Sequence, residues 1–190
     1  SYGLTTMKTR HVDVEGSKVK FRFTGKSGKK HEVAVNDRKL ARIIKRCQEI
    51  PGQELFQYLD GDTPVSIHST DVNEYIRDAA GEDFTAKDFR TWAGTVLAAS
   101  ALADVPLSES DAENRAAIVH AVDSVALALG NTRAVCRKCY IHPAVVAAFA
   151  DGRLANALGS GRAAAGLSKE ESRLRRLLAR EARAPAKRQP

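Results

Sequence analysis

The spacing of apolar residues changes once along this chain, near Asn36, and the change restricts the folds open to it. Between residues 11 and 36 apolar residues alternate with polar ones, which is the period of a β-strand. The alternating residues are Val12, Val14, Val19, Phe21, Phe23, Val33 and Val35. After Asn36 the apolar residues recur with the spacing of one face of an α-helix. We therefore expect a mainly α-helical α+β protein with a small N-terminal antiparallel β-sheet.

Two turn signals divide the alternating region into three strands. They are Glu15-Gly16 and the glycine-bounded stretch 25–28. The second turn carries Lys26, and Lys29 and Lys30 follow it directly. A lysine-rich hairpin tip is usually just solvated, but it is also suited to reaching into a DNA groove.

Glycines, prolines and capping residues predict the helix ends in the first half of the chain. The first helix follows Asn36 and ends at Pro51-Gly52, because this pair stops a helix. An irregular stretch is expected from there through Asp62. The next helix is predicted to begin at the capping cluster 69–71 and to end near Gly81.

Two longer helices are predicted in the middle of the chain. Thr85 and Asp88 have the spacing of a capping box that opens the first, and Ser110 and Glu113 open the second in the same way. Gly130 is placed to end the second helix, as glycine commonly does. Four apolar residues on these helices are expected in the core rather than stacked on bases: Phe89, Trp92, Val96 and Leu129.

A short segment after Gly130 concentrates the chemically interesting side chains. Asn131-Thr132 is placed to cap a short helix that leads to Tyr140, and Pro143 can begin the next helix. Cationic residues flank the tyrosine, so a phosphodiester would be drawn toward its hydroxyl group. These cations are Arg133, Arg137 and Lys138.

The overall charge also favours an anionic partner. The chain has 190 residues and a formal net charge of +7, which suits a domain with a sizeable core and a polyanionic ligand. Charge alone does not separate nucleic acid from an acidic membrane. No apolar run approaches the roughly 20 residues of a membrane-spanning helix, so we expect a cytosolic protein with no membrane association.

The cysteines do not indicate a metal site or a disulfide framework. The chain has three cysteines, Cys47, Cys136 and Cys139, and an odd number does not pair fully into disulfides. Cys136 and Cys139 form a C-x-x-C with His142 nearby. No second C-x-x-C completes a four-ligand zinc site. We expect Cys136 and Cys139 to be small residues on the helical turn that positions Tyr140.

Four blocks of residues, taken in their order and spacing, resemble one enzyme family. The blocks are 23–26 with His31-Glu32, 87–92, 129–132 and 138–141. Together they resemble the type IB DNA topoisomerases, most closely the small poxvirus-like enzymes of bacteria. The resemblance implies ATP-independent relaxation of supercoiled double-stranded DNA, with no cofactor and no obligatory divalent metal.

The resemblance also implies roles for individual residues. Tyr140 attacks a DNA phosphodiester and forms a 3′-phosphotyrosyl bond, Arg90 binds the phosphate, and Lys26 is the general acid for the departing 5′-oxygen. Asn131 stands where many family members have histidine; its amide can donate a hydrogen bond to a phosphate oxygen, although a role as a helix cap only stays open.

Further DNA contacts are weaker predictions. Lys87 resembles the DNA-contacting lysine of the family, and charge or polarity suggests the others: Ser69, Asn73, Thr95, Lys29, Lys30, Arg133, Arg137 and Lys138. Ser69 could instead only cap its helix. No motif assigns His31, His68 or His142, which are expected to be surface or capping residues.

The resemblance leaves two family features without a counterpart in this chain. The family has a first catalytic arginine upstream of the block that residues 2–8 resemble, and an N-terminal DNA-clamping domain. We therefore expect a catalytic domain at 1–167, with a hairpin region at 1–36 and a helical region at 37–167, and a basic C-terminal helix and tail at 168–190. We expect a monomer that clamps DNA together with the N-terminal domain, in the bacterial cytoplasm at the nucleoid.

Two other functions stay open. A tyrosine recombinase or integrase shares the fold and the nucleophile, but it usually carries His-x-x-Arg where this chain has Lys87-Asp88-Phe89-Arg90. A non-catalytic DNA-binding module would use only the basic hairpin and tail.

Overall fold

The computed structural model describes residues 2–159 and 161–183. The chain divides into two compact units, Ser1–Ala86 and Lys87–Pro190. The first unit contains the antiparallel sheet and the second is helical. The predicted fold class, mainly α-helical with a small N-terminal antiparallel sheet, is confirmed.

The first unit is built on a three-stranded sheet in the order β1-β2-β3. Its strands are β1 (Val12–Glu15), β2 (Lys18–Thr24) and β3 (Lys30–Asn36). Helix α1 (Arg38–Glu49) begins after Asp37, whose carboxylate accepts hydrogen bonds from two backbone N–H groups of its first turn. The buried side chains of the sheet and of α1 form one apolar cluster with Met7 and Leu55.

A second hairpin follows α1, where an irregular stretch was expected. Strands β4 (Gln57–Asp60) and β5 (Thr63–Ser66) are antiparallel and joined by a turn in which Gly61 has φ +60°. The expectation was wrong because the two strands are short and their apolar residues are mostly exposed, so no alternation marks them. The Gly61-Asp62 pair is the signal that could have identified this hairpin.

Helix α2 (Ser69–Ala80) completes the first unit. His68 occupies the N-cap position, and its backbone N–H donates to the Asp71 carboxylate at 2.7 Å. Gly81 ends the helix with φ +68°, as predicted.

The second unit consists of helices whose ends follow the predicted capping residues. Ser110 caps one helix and Gly130 ends it with φ +66°, while Thr132 and Pro143 begin the next two. The helices are α3 (Ala86–Ala103), α4 (Asp111–Leu129), α5 (Arg133–Cys139), α6 (Pro143–Ala150), α7 (Leu154–Leu158) and α8 (Lys169–Arg183).

The core of the second unit draws on both its middle and its C-terminal helices. Leu174 and Leu177 of α8 are fully buried in the same cluster as Cys136 and Val145. Near the start of α8, the Glu171 carboxylate accepts a hydrogen bond from the Trp92 indole N–H at 2.9 Å. The predicted amphipathic helix is therefore confirmed over 169–183 and packs on the core, whereas the predicted tail at 184–190 lies outside the described residues.

One of the four predicted core residues is not in the core. Trp92, Val96 and Leu129 pack against the buried cluster, but Phe89 is 65% exposed. The buried face of α3 is centred near Thr95. Phe89 is six positions before Thr95, and six steps of an α-helix place the two side chains roughly 120° apart around its axis. The prediction was wrong because Phe89 and Trp92 were assigned to one face.

None of the helices within the described residues is long and apolar enough to cross a lipid bilayer.

Truncation of a buried leucine on α8 is expected to destabilise the second unit. Leu177 is 0% exposed, so Leu177→Ala should lower the free energy of unfolding by about 2–5 kcal/mol, through lost apolar burial and a cavity. Leu127, on the surface of α4, is 85% exposed, and Leu127→Ala should change it by no more than about 0.5 kcal/mol. Urea denaturation of both variants measures the difference; equal effects would mean that α8 does not contribute to the core.

Candidate active site

Arg90 and Tyr140 lie side by side in the second unit. The Arg90 Cζ atom is 5.1 Å from the centroid of the Tyr140 ring, within the range of a cation–π contact. The two residues come from the first turns of α3 and from the end of α5. The structure therefore brings together the predicted nucleophile and the predicted phosphate-binding arginine.

The backbone carbonyl of Leu129 holds Arg90 in place. Its oxygen accepts a hydrogen bond from Arg90 Nη2 at 2.8 Å and another from Asn131 Nδ2 at 3.2 Å. Leu129 is the last residue of α4, so no later turn of the helix takes its carbonyl. Asn131, another predicted catalytic residue, and Arg90 thus donate hydrogen bonds to the same oxygen atom.

Asn131 does not cap the following helix. The Thr132 side chain is the N-cap of α5 and accepts from the Val135 N–H. The expectation that Asn131 caps α5 is therefore wrong; its amide instead donates to the last carbonyl of α4, a structural role at the other helix end.

Tyr140 stands where α5 ends and the backbone leaves the helix. Its N–H donates to the Cys136 carbonyl at 2.9 Å, and its backbone has φ −125° and ψ 2°. Cys136 is fully buried and Ile141 is buried on the other side of the tyrosine. The expectation that Cys136 lies on the turn that positions Tyr140 is confirmed.

Helix α3 is packed closely against the Tyr140 segment. A Cβ atom at Gly94 would lie 2.4 Å from the Tyr140 carbonyl oxygen, a distance that only glycine avoids. The Thr91 hydroxyl is 3.3 Å from the Cys139 carbonyl oxygen.

Thr95 is also part of this packing, and not of the surface. It is 2% exposed, and its hydroxyl donates to the Thr91 carbonyl at 2.6 Å and accepts from the His142 N–H at 3.1 Å. The prediction of a direct phosphate contact by Thr95 was wrong because the side chain faces the protein interior. Its helical position alone did not reveal which face of α3 would be covered.

The cations around the tyrosine are not equivalent. Arg133 Nε and Nη2 donate to the two carboxylate oxygens of Asp123 at 2.5 and 2.6 Å. This hydrogen bonding to Arg133 lowers the pKa of Asp123, so the carboxylate stays charged and compensates the guanidinium. Arg137 and Lys138 are exposed in the last turn of α5.

Lys87 lies one turn before Arg90 on α3 and is exposed, so the two side chains share one face of the helix.

In the first unit, the predicted lysines lie at the tip of the β2–β3 hairpin. Lys26 begins a short 3-10 turn, Lys26–Gly28, and Lys29 and Lys30 follow it; all three lysines are exposed. The Gly25 N–H donates to the Lys29 carbonyl at 2.7 Å and closes the turn.

Gly25, which precedes Lys26, lies against the ring of His31. A Cβ atom at this position would lie 2.6 Å from Nε2 of His31, whose ring stacks on Phe23. A side chain at position 25 would therefore fit only if the His31 ring moved from its stacked position on Phe23.

The remaining predicted contacts lie on or near α2. Ser69 is the exposed first residue of this helix, and the Asn73 side-chain oxygen accepts a hydrogen bond from the Ala86 N–H at 3.0 Å. The capping interpretation of His68 and His142 is confirmed, because both occupy N-cap positions.

Within residues 2–159 and 161–183 no group of three or more His, Cys, Asp or Glu residues is arranged to hold a metal ion. Cys47 belongs to the first unit, where burial raises the pKa of its thiol.

Comparison with known proteins assigns the chain to one family. The family model for the catalytic core of eukaryotic DNA topoisomerase I matches residues 1–156. DNA topoisomerase 1B of Acanthamoeba polyphaga mimivirus is 31% identical over 153 residues, which cover 74% of this chain and 44% of the viral protein. This chain thus spans less than half the length of that relative. It belongs to the type IB family defined by the catalytic core of eukaryotic DNA topoisomerase I.

Proposed function

We propose that this protein is a type IB DNA topoisomerase, which relaxes supercoiled double-stranded DNA without ATP by cutting and rejoining one strand. The observation that carries the proposal is the position of Arg90, which lies beside the Tyr140 ring and shares the Leu129 carbonyl with Asn131, in a chain of this family.

Tyr140 is the nucleophile in this proposal. A tyrosine hydroxyl has an unperturbed pKa of about 10, so it attacks a phosphodiester slowly unless the developing charge is held. Arg90 offers a planar fork for two non-bridging oxygens and keeps its charge at any physiological pH. Asn131 adds an amide donor, which binds the phosphate but carries no proton.

The bonds balance over one cycle. The Tyr140 hydroxyl gives its proton to water and its oxygen forms a bond to phosphorus as the bond from phosphorus to the 5′-oxygen breaks. The 5′-oxygen takes a proton from a general acid, which leaves a 3′-phosphotyrosyl ester and a 5′-hydroxyl. The free strand rotates, and the hydroxyl then attacks the ester and releases tyrosine. Because the ester conserves the energy of the phosphodiester, rejoining needs no ATP.

Lys26 is the general acid that protonates the departing 5′-oxygen. An ammonium group can donate this proton, and a long side chain on an exposed hairpin tip is suited to reaching a leaving group. Lys29 and Lys30 are neighbours of the same charge and are the competing candidates.

Other cations of the chain supply affinity for the DNA backbone. Lys87, Arg137 and Lys138 are exposed near Arg90 and Tyr140, so they are suited to contacting phosphates. We further propose that the protein acts as a monomer, with an N-terminal domain that clamps the DNA, in the bacterial cytoplasm at the nucleoid.

Replacement of the nucleophile is expected to abolish covalent chemistry. With a duplex nicked so that cleavage is trapped, the full-length protein should form a denaturation-resistant adduct at a DNA 3′-phosphate, and Tyr140→Phe should form none. Tyr75→Phe changes a tyrosine that is 73% exposed on α2 and should leave the adduct intact.

The same assay separates the alternatives. Tight, salt-sensitive DNA binding with no adduct would indicate a non-catalytic binding module. Strand transfer between two duplexes without relaxation of a supercoiled plasmid would indicate a recombinase. A persistent adduct in Tyr140→Phe would mean that another residue is the nucleophile.

The effect of losing the general acid on the cleavage rate is expected to depend on the leaving group. Lys26→Gln should slow cleavage of ordinary DNA on the order of 100-fold. It should have little effect when sulfur replaces the bridging 5′-oxygen, because a thiolate leaves without a proton. Single-turnover cleavage of both substrates measures this. Lys29→Gln and Lys30→Gln should cleave ordinary DNA at near wild-type rates; an oxygen-specific defect in either would reassign the general acid.

Release of Arg133 from its carboxylate partner is expected to strengthen DNA binding. In Asp123→Asn the guanidinium loses its bidentate partner, so the salt dependence of binding should steepen by up to about one phosphate contact. Asp151→Asn makes the same charge change beside Arg153, which keeps its bond to Glu181. Equal salt slopes for the two variants, measured by fluorescence anisotropy, would remove Arg133 from the DNA contacts.

A further inference from the structure

We propose that Thr95 is a positioning residue for Tyr140, and that its buried hydroxyl holds the nucleophile in register with Arg90. This inference rests on the proposed function and names a residue that acts through the backbone of the tyrosine segment, with no contact to DNA.

The hydroxyl of Thr95 is placed at the centre of the contact between α3 and the tyrosine segment. It is buried, it donates to the Thr91 carbonyl at 2.6 Å, and it accepts from the His142 N–H at 3.1 Å. The Tyr140 carbonyl oxygen lies 3.5 Å from the same Oγ1 atom. One side chain therefore contacts the backbone on both sides of Ile141.

Two neighbours on α3 restrict the same segment. The Thr91 hydroxyl lies 3.3 Å from the Cys139 carbonyl oxygen, one residue before the tyrosine. Gly94 allows the Tyr140 carbonyl to approach the helix so closely that any Cβ atom would collide with it. From Cys139 to His142, the backbone is thus held against one face of α3.

The helix that holds the tyrosine segment also carries the phosphate-binding arginine. Arg90 precedes Thr95 by five residues, a rise of roughly 7.5 Å along α3. Because an α-helix is stiff over this length, fixing the Tyr140 backbone to Thr95 also fixes its distance from Arg90. An attack in line with the leaving group is sensitive to displacements of about 1 Å, so this register affects the rate of cleavage.

Without the Thr95 hydroxyl, the tyrosine has fewer restraints. Tyr140 lies just past the end of α5, and the His142 N–H would lose its acceptor in a partly buried place. The Asn131 and Arg90 contacts to Leu129 do not involve this backbone, so the phosphate-binding side of the site would stay intact.

The test compares Thr95→Val, which keeps the shape and removes the hydroxyl, with Thr95→Ser, which keeps the hydroxyl. In the full-length protein, single-turnover cleavage of the trapping duplex at saturating enzyme should be slowed on the order of 10-fold or more by Thr95→Val. The dissociation constant for DNA should stay within about 2-fold, because Thr95 does not contact DNA. Thr95→Ser should restore the cleavage rate to within about 3-fold of wild type, since it keeps both hydrogen bonds.

A matched variant separates positioning from general loss of stability. Ser172 on α8 is also buried, and its hydroxyl accepts a hydrogen bond from the Ala164 N–H at 2.8 Å. Ser172→Ala removes a comparable buried bond elsewhere in the unit and should leave the cleavage rate unchanged. Thermal unfolding of each variant shows whether the folded fractions are equal.

Several results would overturn the inference. Wild-type cleavage by Thr95→Val, an equal defect in Thr95→Ser, or an equal defect in Ser172→Ala would each do so. If Thr95→Val does not fold, Gly94→Ala decides, because it displaces the Tyr140 carbonyl without removing a hydrogen-bonding group; a wild-type rate in that variant would contradict the inference. No adduct from the wild-type protein would instead refute the proposed function.

Discussion

The geometry of the candidate active site depends on the carbonyl group that α4 leaves without a partner inside the helix. A helix leaves its last carbonyl oxygens without partners in the helix, and their partial negative charge attracts cations. Here Gly130 turns the backbone through a positive φ, and the Leu129 carbonyl receives both the Arg90 guanidinium and the Asn131 amide. The same turn leads into α5 and so to Tyr140. One helix end thus orients the arginine and starts the segment that carries the tyrosine.

The charges of the site follow from which cations have carboxylate partners. Arg90 is held by a neutral carbonyl, which does not compensate its positive charge, as the proposed contact with a phosphate requires. Arg133, only a few residues from Tyr140, forms a bidentate ion pair with Asp123. An exposed ion pair contributes little to the stability of the fold. The difference between the two arginines therefore matters chiefly for ligand binding.

Much of this structure could be predicted from local signals along the chain. Helix ends at Gly81, Ser110, Gly130 and Pro143 lie where capping chemistry placed them, because a cap depends on a few neighbouring residues. The β4–β5 hairpin was missed since its exposed apolar residues carry no alternation. Phe89 and Thr95 were placed on the wrong sides of α3, because the buried face of a helix is decided by distant segments that pack on it. The contact of Asn131 with the end of α4 could likewise not be predicted, because Asn131 and Thr132 were equally placed to cap α5.

The packing of α8 shows that the hydrophobic core extends beyond the residues that match the family model. The family match stops at residue 156, whereas Glu171, Leu174 and Leu177 make contacts with Trp92 and the common core. Residues outside the matched region thus contact α3, the helix that carries Arg90. A fragment limited to the matched residues would therefore lose Leu174 and Leu177 from its core and leave the Trp92 indole N–H without its carboxylate partner.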